Sequence, residues 1–204
     1  MTFLAALCMG LALAASAGLR AFMPLLATGL AARTGWLPLG ESFQWLGETP
    51  ALVALAVAVV LEMAGDKVPA LDHLLDVLQA PVRTAAGVLA FVAVMAPASP
   101  AWAVALLSIV AGGAALSVHA TKSFVRLGST SATAGVANPV VSLFEDGLCL
   151  AVTALSILLW VFAGLVALIA LSWMVFGVRK LLRLRGKTPD HPACPTTRPG
   201  STPA

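Results

Sequence analysis

Long runs of apolar residues with almost no formal charge, at 3–19, 51–65, 84–96, 101–118 and 147–178, leave this chain few ways to fold. With no water in a bilayer core, every backbone N–H and C=O must be satisfied internally, so such runs become membrane helices. A span needs about 20 residues, with roughly 17–25 tolerated. Two of the runs are short by that measure unless their polar flanks dip into the membrane. Composition agrees: 10% of the residues are charged and the mean hydropathy is +0.97, whereas a soluble domain carries about 25% charged residues. The expected fold is all-α, with about six membrane helices. The bilayer is the one partner that composition requires.

The charge that remains is unevenly placed. Arg179, Lys180, Arg183, Arg185 and Lys187 follow the last apolar run. They read as a positive-inside anchor at the lipid headgroups rather than as a nucleic-acid site. Counting Lys and Arg puts residues 66–83, 119–138 and the tail in the cytoplasm, with ten of the twelve basic residues. Both termini then lie inside, in a bacterial inner membrane. Residues 1–17 end in Ala15-Ser16-Ala17, a signal-peptidase-like triplet, but no Lys or Arg occurs before Arg20, so this segment reads as a retained first span. Residues 1–187 form the membrane domain and 188–204, with five prolines, a disordered tail. Cys8, Cys149 and Cys194 suit neither a disulfide framework nor a zinc site.

Ala-Pro-Ala-Ser-Pro at 96–100 divides the membrane domain into similar halves, 1–97 and 101–178. Each half has an apolar helix ending in small residues and a base, Arg20 or Lys122. Each then has a helix opening at Thr49-Pro50 or Asn138-Pro139 that carries acids. Three helices per half would make the repeats inverted, with broken or re-entrant segments, as in many transporters. Gly18 and Pro24 flank Arg20, which predicts a broken first helix, and residues 128–135 are a candidate re-entrant stretch. Leu71, Leu74, Leu75 and Leu78 recur at helical spacing opposite Asp72, His73 and Asp76, which predicts an interfacial amphipathic helix over 70–82. The faces Gly10, Ala14, Gly18 and Gly112, Gly113, Ser117 suit packing within the chain or between copies of it.

Seven ionisable residues fall inside or against the apolar runs: Arg20, Glu62, Asp66, Lys67, Lys122, Glu145 and Asp146. A charge at mid-bilayer costs roughly 2.5–3.5 kcal/mol, so it faces a partner or a watery cavity. Glu62 and Asp66, four apart on a helix, share a face and can aim two carboxylates at one point. Glu62, Asp66 and Glu145 are therefore candidate ligands for a hard divalent cation, and a buried carboxylate can also exchange protons. Glu145 and Asp146 point about 100° apart, so one can face a cavity while the other pairs with Lys122 or Arg126. Asn138 is a further candidate polar contact. Arg20, Lys67 and Lys122 are the expected charge partners. A small cation exchanged for protons is the function these residues suggest; a scaffold or a lipid-handling protein is the alternative. No nucleophile motif, phosphate loop or cofactor signature points to an enzyme.

The ordered set Gly18-Leu19-Arg20-Ala21-Phe22 with Pro24, Leu61-Glu62 with Asp66-Lys67-Val68-Pro69, and Asn138-Pro139 with Ser142 and Glu145-Asp146 resembles the bacterial multi-pass membrane-protein family catalogued as domain of unknown function 4126. That resemblance implies a multi-pass membrane protein and no established activity. Glu62-Met63-Ala64-Gly65-Asp66-Lys67-Val68 is more loosely similar to the duplicated motif of the manganese/calcium–proton antiporters, which reads Glu, apolar, Gly, Asp, Lys/Arg, Thr/Ser. Here one extra residue separates Glu62 from Gly65, and Val68 stands where a hydroxyl belongs.

Overall fold

The first helix, α1 (Phe3–Leu19), is opened by the Thr2 hydroxyl, which accepts from the Ala5 N–H at 3.4 Å. It stops at Arg20, whose backbone is extended. Helix α2 (Phe22–Arg33) starts two residues later, with Pro24 in its first turn, where a missing N–H costs nothing. The predicted break thus falls at Arg20. Gly35, at φ +76°, closes α2: its N–H bonds Ala32 O and the Trp36 N–H bonds Ala31 O, each at 3.0 Å, the paired arrangement of a left-handed helix cap.

A short 3-10 helix (Glu41–Gly47) meets α3 (Thr49–Gly65) at a 64° bend. Then follow α4 (Pro69–Met95), a 3-10 turn (Ala96–Ala98), α5 (Ala101–Thr133) and α6 (Asn138–Leu158). In this computed structural model the described residues are 2–65, 69–133 and 136–158 with Ile169, Ser172 and Trp173; side chains within α4 are described from Gln79 on. Asp66 and Lys67, the side chains of Asp72, His73 and Asp76, the basic segment 179–187 and the tail lie outside the described residues. So does any turn beyond Leu158.

The described residues are helical, without strands. Among the described residues three helices are long and apolar enough to cross a membrane, at Gln79–Ala98, Ala101–Ser131 and Asn138–Leu158; the bent pair Glu41–Gly47 with Thr49–Gly65 makes up to four. Helix α1 is apolar but, at 17 residues, shorter.

Small residues set the packing. A methyl group on Gly10 would lie 2.8 Å from the Phe91 ring, and one on Gly87 2.7 Å from Ala115 Cβ and 3.2 Å from Ala14 O. Gly18 packs on Ala115 and Val118. Helices α1, α4 and α5 therefore touch almost backbone to backbone, the association that small residues permit in lipid. The face Gly10, Ala14, Gly18 is used inside the chain; Gly113 faces open space. Helix α3 is peripheral, burying only Leu52 and Glu62. Val53, Val57, Leu61, Ile109, Leu143 and Phe144 are exposed, as lipid-facing positions should be.

These contacts correct four expectations. Pairing Gly10 with Phe91 and Ala14 with Gly87 makes α1 antiparallel to α4, while Gly18 on Ala115 and Leu19 beside Lys122 make α1 and α5 parallel. The two helices expected as inverted copies thus run the same way. Helices α3 and α6, matched by their Pro-opened starts, run oppositely: Glu62, late in α3, and Asp146, early in α6, both reach the Arg20 break. No single inversion relates the halves. The N-terminus accordingly lies at the end of the bundle away from Arg83 and Lys122, not beside them. Residues 70–82 form no separate helix but continue into α4, because Pro81 removes one ladder bond without ending the helix. Residues 128–133 are the end of α5 rather than a re-entrant loop. The Ser131 and Thr133 hydroxyls donate to the carbonyls of Leu127 and Ser129 four residues back, so this stretch satisfies itself as helix.

Candidate functional site

Breaking α1 from α2 inside the bundle leaves two helix ends without hydrogen-bond partners. The chain meets each with the opposite charge. At the end of α1, the carbonyls of Gly18 and Leu19 accept from the Arg83 guanidinium of α4, and Leu19 O also accepts from Lys122 Nζ of α5 at 3.2 Å. At the start of α2, the Ala21 and Phe22 N–H groups donate to the two Glu62 carboxylate oxygens at 2.9 and 3.3 Å. Cations at a helix C-terminus and a carboxylate at an N-terminus also complement the helix dipoles. Local backbone chemistry therefore accounts for charges of both signs at one level of the bundle.

The charges bind one another as well. Glu62 Oε1 lies 3.2 Å from Arg83 Nη2, and Gln79 Oε1 holds the same guanidinium. Arg20 donates from Nε to Asp146 Oδ1 at 2.5 Å, from Nη2 to Ser142 Oγ at 3.0 Å and from Nη1 to the Glu62 carbonyl at 3.3 Å. Its Nη2 is also ion-paired with Asp146. One side chain thus ties the α1–α2 break to α3 and α6. Glu145 Oε2 lies 3.2 Å from Lys122 Nζ and 3.0 Å from Arg126 Nη2. Arg20 and Arg83 are 1% and 0% exposed, which leaves water little access to screen these pairs. Asn138, at the mouth of α6, donates to Thr130 Oγ1 at 3.0 Å. Among the described residues, neither Asn138 Oδ1 nor Asp146 Oδ2, both buried, accepts a hydrogen bond.

Five of the residues singled out in the sequence, Arg20, Glu62, Lys122, Glu145 and Asp146, meet at this end of the bundle. Arg20 pairs with Asp146 and reaches Glu62 at its backbone carbonyl. The Glu145-Asp146 step divides as its geometry requires, Glu145 towards α5 and Asp146 towards Arg20. Arg83 is the residue sequence reasoning missed. It sits directly before the apolar run 84–96 and so read as a boundary charge. Ser142 was visible only through the family motif.

A divalent metal does not fit this arrangement. Glu62 faces Arg83, and Glu145 faces Lys122 and Arg126, so an ion on either carboxylate would meet guanidinium or ammonium groups about 3 Å away. Among the described residues no three His, Cys, Asp or Glu side chains are grouped to hold one.

No curated protein and no solved structure matches the chain. The antiporter likeness, carried by residues 62–68 and more weakly by Glu145-Asp146-Gly147, is therefore not shown. The other resemblance extends along nearly the whole membrane domain: the profile of a domain of unknown function, DUF4126, matches residues 7–180, and the chain belongs to that family.

Proposed function

We propose that this membrane protein is a secondary transporter exchanging a small cation for protons, with the buried ion-pair cluster as its switch. One observation carries the reading: each described carboxylate in the cluster is held by a basic side chain from another helix, at the point where α1 is broken. A buried ion pair is weak support for stability, because desolvation offsets the attraction. The Gly and Ala contacts already join α1, α4 and α5, so holding those three helices together does not by itself call for ion pairs. What the pairs add is a set of contacts between helices with two arrangements, closed on each other or opened by a competing cation or proton. A cargo cation and the Arg or Lys side chains exclude one another from the same oxygens, the alternation an exchanger needs. Crowding by three guanidinium groups and an ammonium favours a singly charged cargo over a divalent one. The positive-inside bias makes the charged end cytoplasmic.

The test is flux in proteoliposomes under an imposed pH gradient, with Na⁺, K⁺, Mn²⁺, Ca²⁺ and Mg²⁺ offered separately. Cation-dependent proton movement is expected in the wild type, and its loss in Glu62→Gln, which keeps the shape but halves the hold on Arg83 and the α2 N–H groups. Wild-type vesicles that move none of these ions would sink the exchanger reading. The second reading is a scaffold, favoured by the same completeness of pairing. It predicts that Glu62→Gln and Glu145→Gln lower stability or assembly while flux is absent throughout.

A further inference from the structure

Helix α6 is polar inside and apolar outside. Its buried residues are Asn138, Ser142, Glu145, Asp146, Cys149, Thr153 and Ser156, while Val140, Leu143, Phe144, Leu150, Leu155 and Leu158 are exposed. Every buried position thus carries a hydrogen-bonding atom or a thiol. The file follows one face at steps of three and four, and from Asn138 to Ser156 it runs about 27 Å at 1.5 Å per residue. That nearly matches the roughly 30 Å hydrocarbon core of a bilayer.

The file is connected on its inner half. Thr153 Oγ1 donates to Ser16 Oγ of α1 at 3.1 Å, and Ser16 Oγ donates to Leu13 O at 2.9 Å. Ser156 Oγ donates to Thr153 O at 2.7 Å, and Cys149 Sγ lies 3.4 Å from Ser16 O. One turn beyond Cys149 is Asp146, 6% exposed, whose Oδ1 is occupied by Arg20 and whose Oδ2 accepts nothing from the described residues. Packing explains the small size of these side chains, since α1 and α6 approach closely. It does not explain why none of the buried ones is alanine, the cheaper choice in lipid. Nor does it explain a carboxylate oxygen left bare at the end of the file, where a buried acceptor without a donor is costly.

Resting on the transporter reading, we propose that the α1–α6 seam is the proton's route from the uncharged end of the bundle, and that Asp146 Oδ2 receives the proton. Ser156, bonded to the Thr153 carbonyl, lines the entrance. Thr153 takes up a proton and passes its own to Ser16 Oγ; Ser16 turns from the Leu13 carbonyl to release its own, and a water carries that proton across the one-turn gap, where it forms an O–H bond on Asp146. Arg20 stays protonated, and the cluster gains one positive charge. Asp146 then no longer holds Arg20 as an ion, which frees the joint between the α1–α2 break, α3 and α6. Among the described residues the buried ionisable groups of the elements packed at this end are Arg20, Glu62 from α3, Arg83 from α4, His119, Lys122 and Arg126 from α5, and Glu145 and Cys149 on α6; α2 contributes its N–H groups.

Time-resolved infrared spectroscopy on the reconstituted full chain after a pH jump tests this without any cargo. Acidification should raise a carboxylic-acid band that shifts on ¹³C-aspartate labelling, is absent in Asp146→Asn and persists in Glu62→Gln. Thr153→Val, which keeps the shape and removes the hydroxyl, should slow its rise about tenfold, the rate equivalent of one ordinary hydrogen bond. Thr153→Ser should restore the rate. A band unmoved by aspartate labelling, or present in Asp146→Asn, overturns the proposal. So does a Thr153→Val rate equal to wild type. If Asp146→Asn does not fold, Asp146→Glu serves: the band must then lose its aspartate-label shift. Vesicles that move no cation while this band behaves as stated would remove the exchanger and leave the proton route standing.

Discussion

Arg20→Met should be among the most damaging single substitutions in this protein, costing about 3–5 kcal/mol, because it leaves the Asp146 carboxylate buried without its counter-charge. The same change strips donors from Ser142 Oγ and the Glu62 carbonyl. The midpoint of denaturant unfolding in detergent micelles is the measurement, with far-ultraviolet dichroism to follow the helices. The double variant Arg20→Met with Asp146→Leu should recover most of the loss, since exchanging a whole buried pair for apolar groups is often neutral. Lys122→Met makes the contrast. Glu145 keeps Arg126 at 3.0 Å and Leu19 O keeps Arg83, so no partner is stranded and the loss there should be smaller, about 1.5–3 kcal/mol, the range for a hydrogen bond to a charged group. An Arg20→Met protein as stable as wild type would mean that Asp146 is already neutral or otherwise paired. A double variant that regains stability but not flux would separate the switch from the scaffold.

What could be read without coordinates divides along physical lines. Glu62, Glu145 and Asp146 stood out because each interrupts a run that lipid should exclude them from. Arg20 did so because Gly18 and Pro24 flank it. Hydropathy carries no direction, however, so it could not show that α1 and α5 run parallel, and the inverted plan built on alternating spans failed there. Arg83 escaped notice because a charge beside an apolar run resembles a boundary; only the α1 carbonyls it binds reveal it as interior. The polar face of α6 was present in the spacing of Ser142, Cys149, Thr153 and Ser156. Small hydroxyls and thiols scarcely lower hydropathy, and with no neighbour assigned to α6 nothing marked that face as the inner one. The amphipathic spacing of 71–78 likewise did not show that this stretch continues through Pro81 into the apolar run as one helix.

Gly18→Val should be comparably disruptive, for a reason that involves no charge. A Cβ on Gly18 would lie inside van der Waals contact of the Ala115 carbonyl oxygen and 2.7 Å from Val118 Cβ. The first obstacle is backbone in the middle of α5, which cannot rotate aside as a side chain can. Helix α1 must therefore back away from α5, and the expected cost is about 3 kcal/mol, the upper end for an overpacked core. The displacement also reaches the cluster, because Leu19 is the next residue and its carbonyl holds Lys122 and Arg83. Flux and pH response should fall together with stability. Gly113→Ala is the matched control on α5. Among the described residues nothing lies within 4 Å of the added methyl, and removing a helix-interior glycine should stabilise by roughly 0.5–1 kcal/mol. Unfolding midpoints of the two variants, measured in the same detergent, should move in opposite directions. A Gly18→Val protein that matches Gly113→Ala would show that α1 and α5 are not in backbone contact at Gly18 and that the cluster does not depend on that contact.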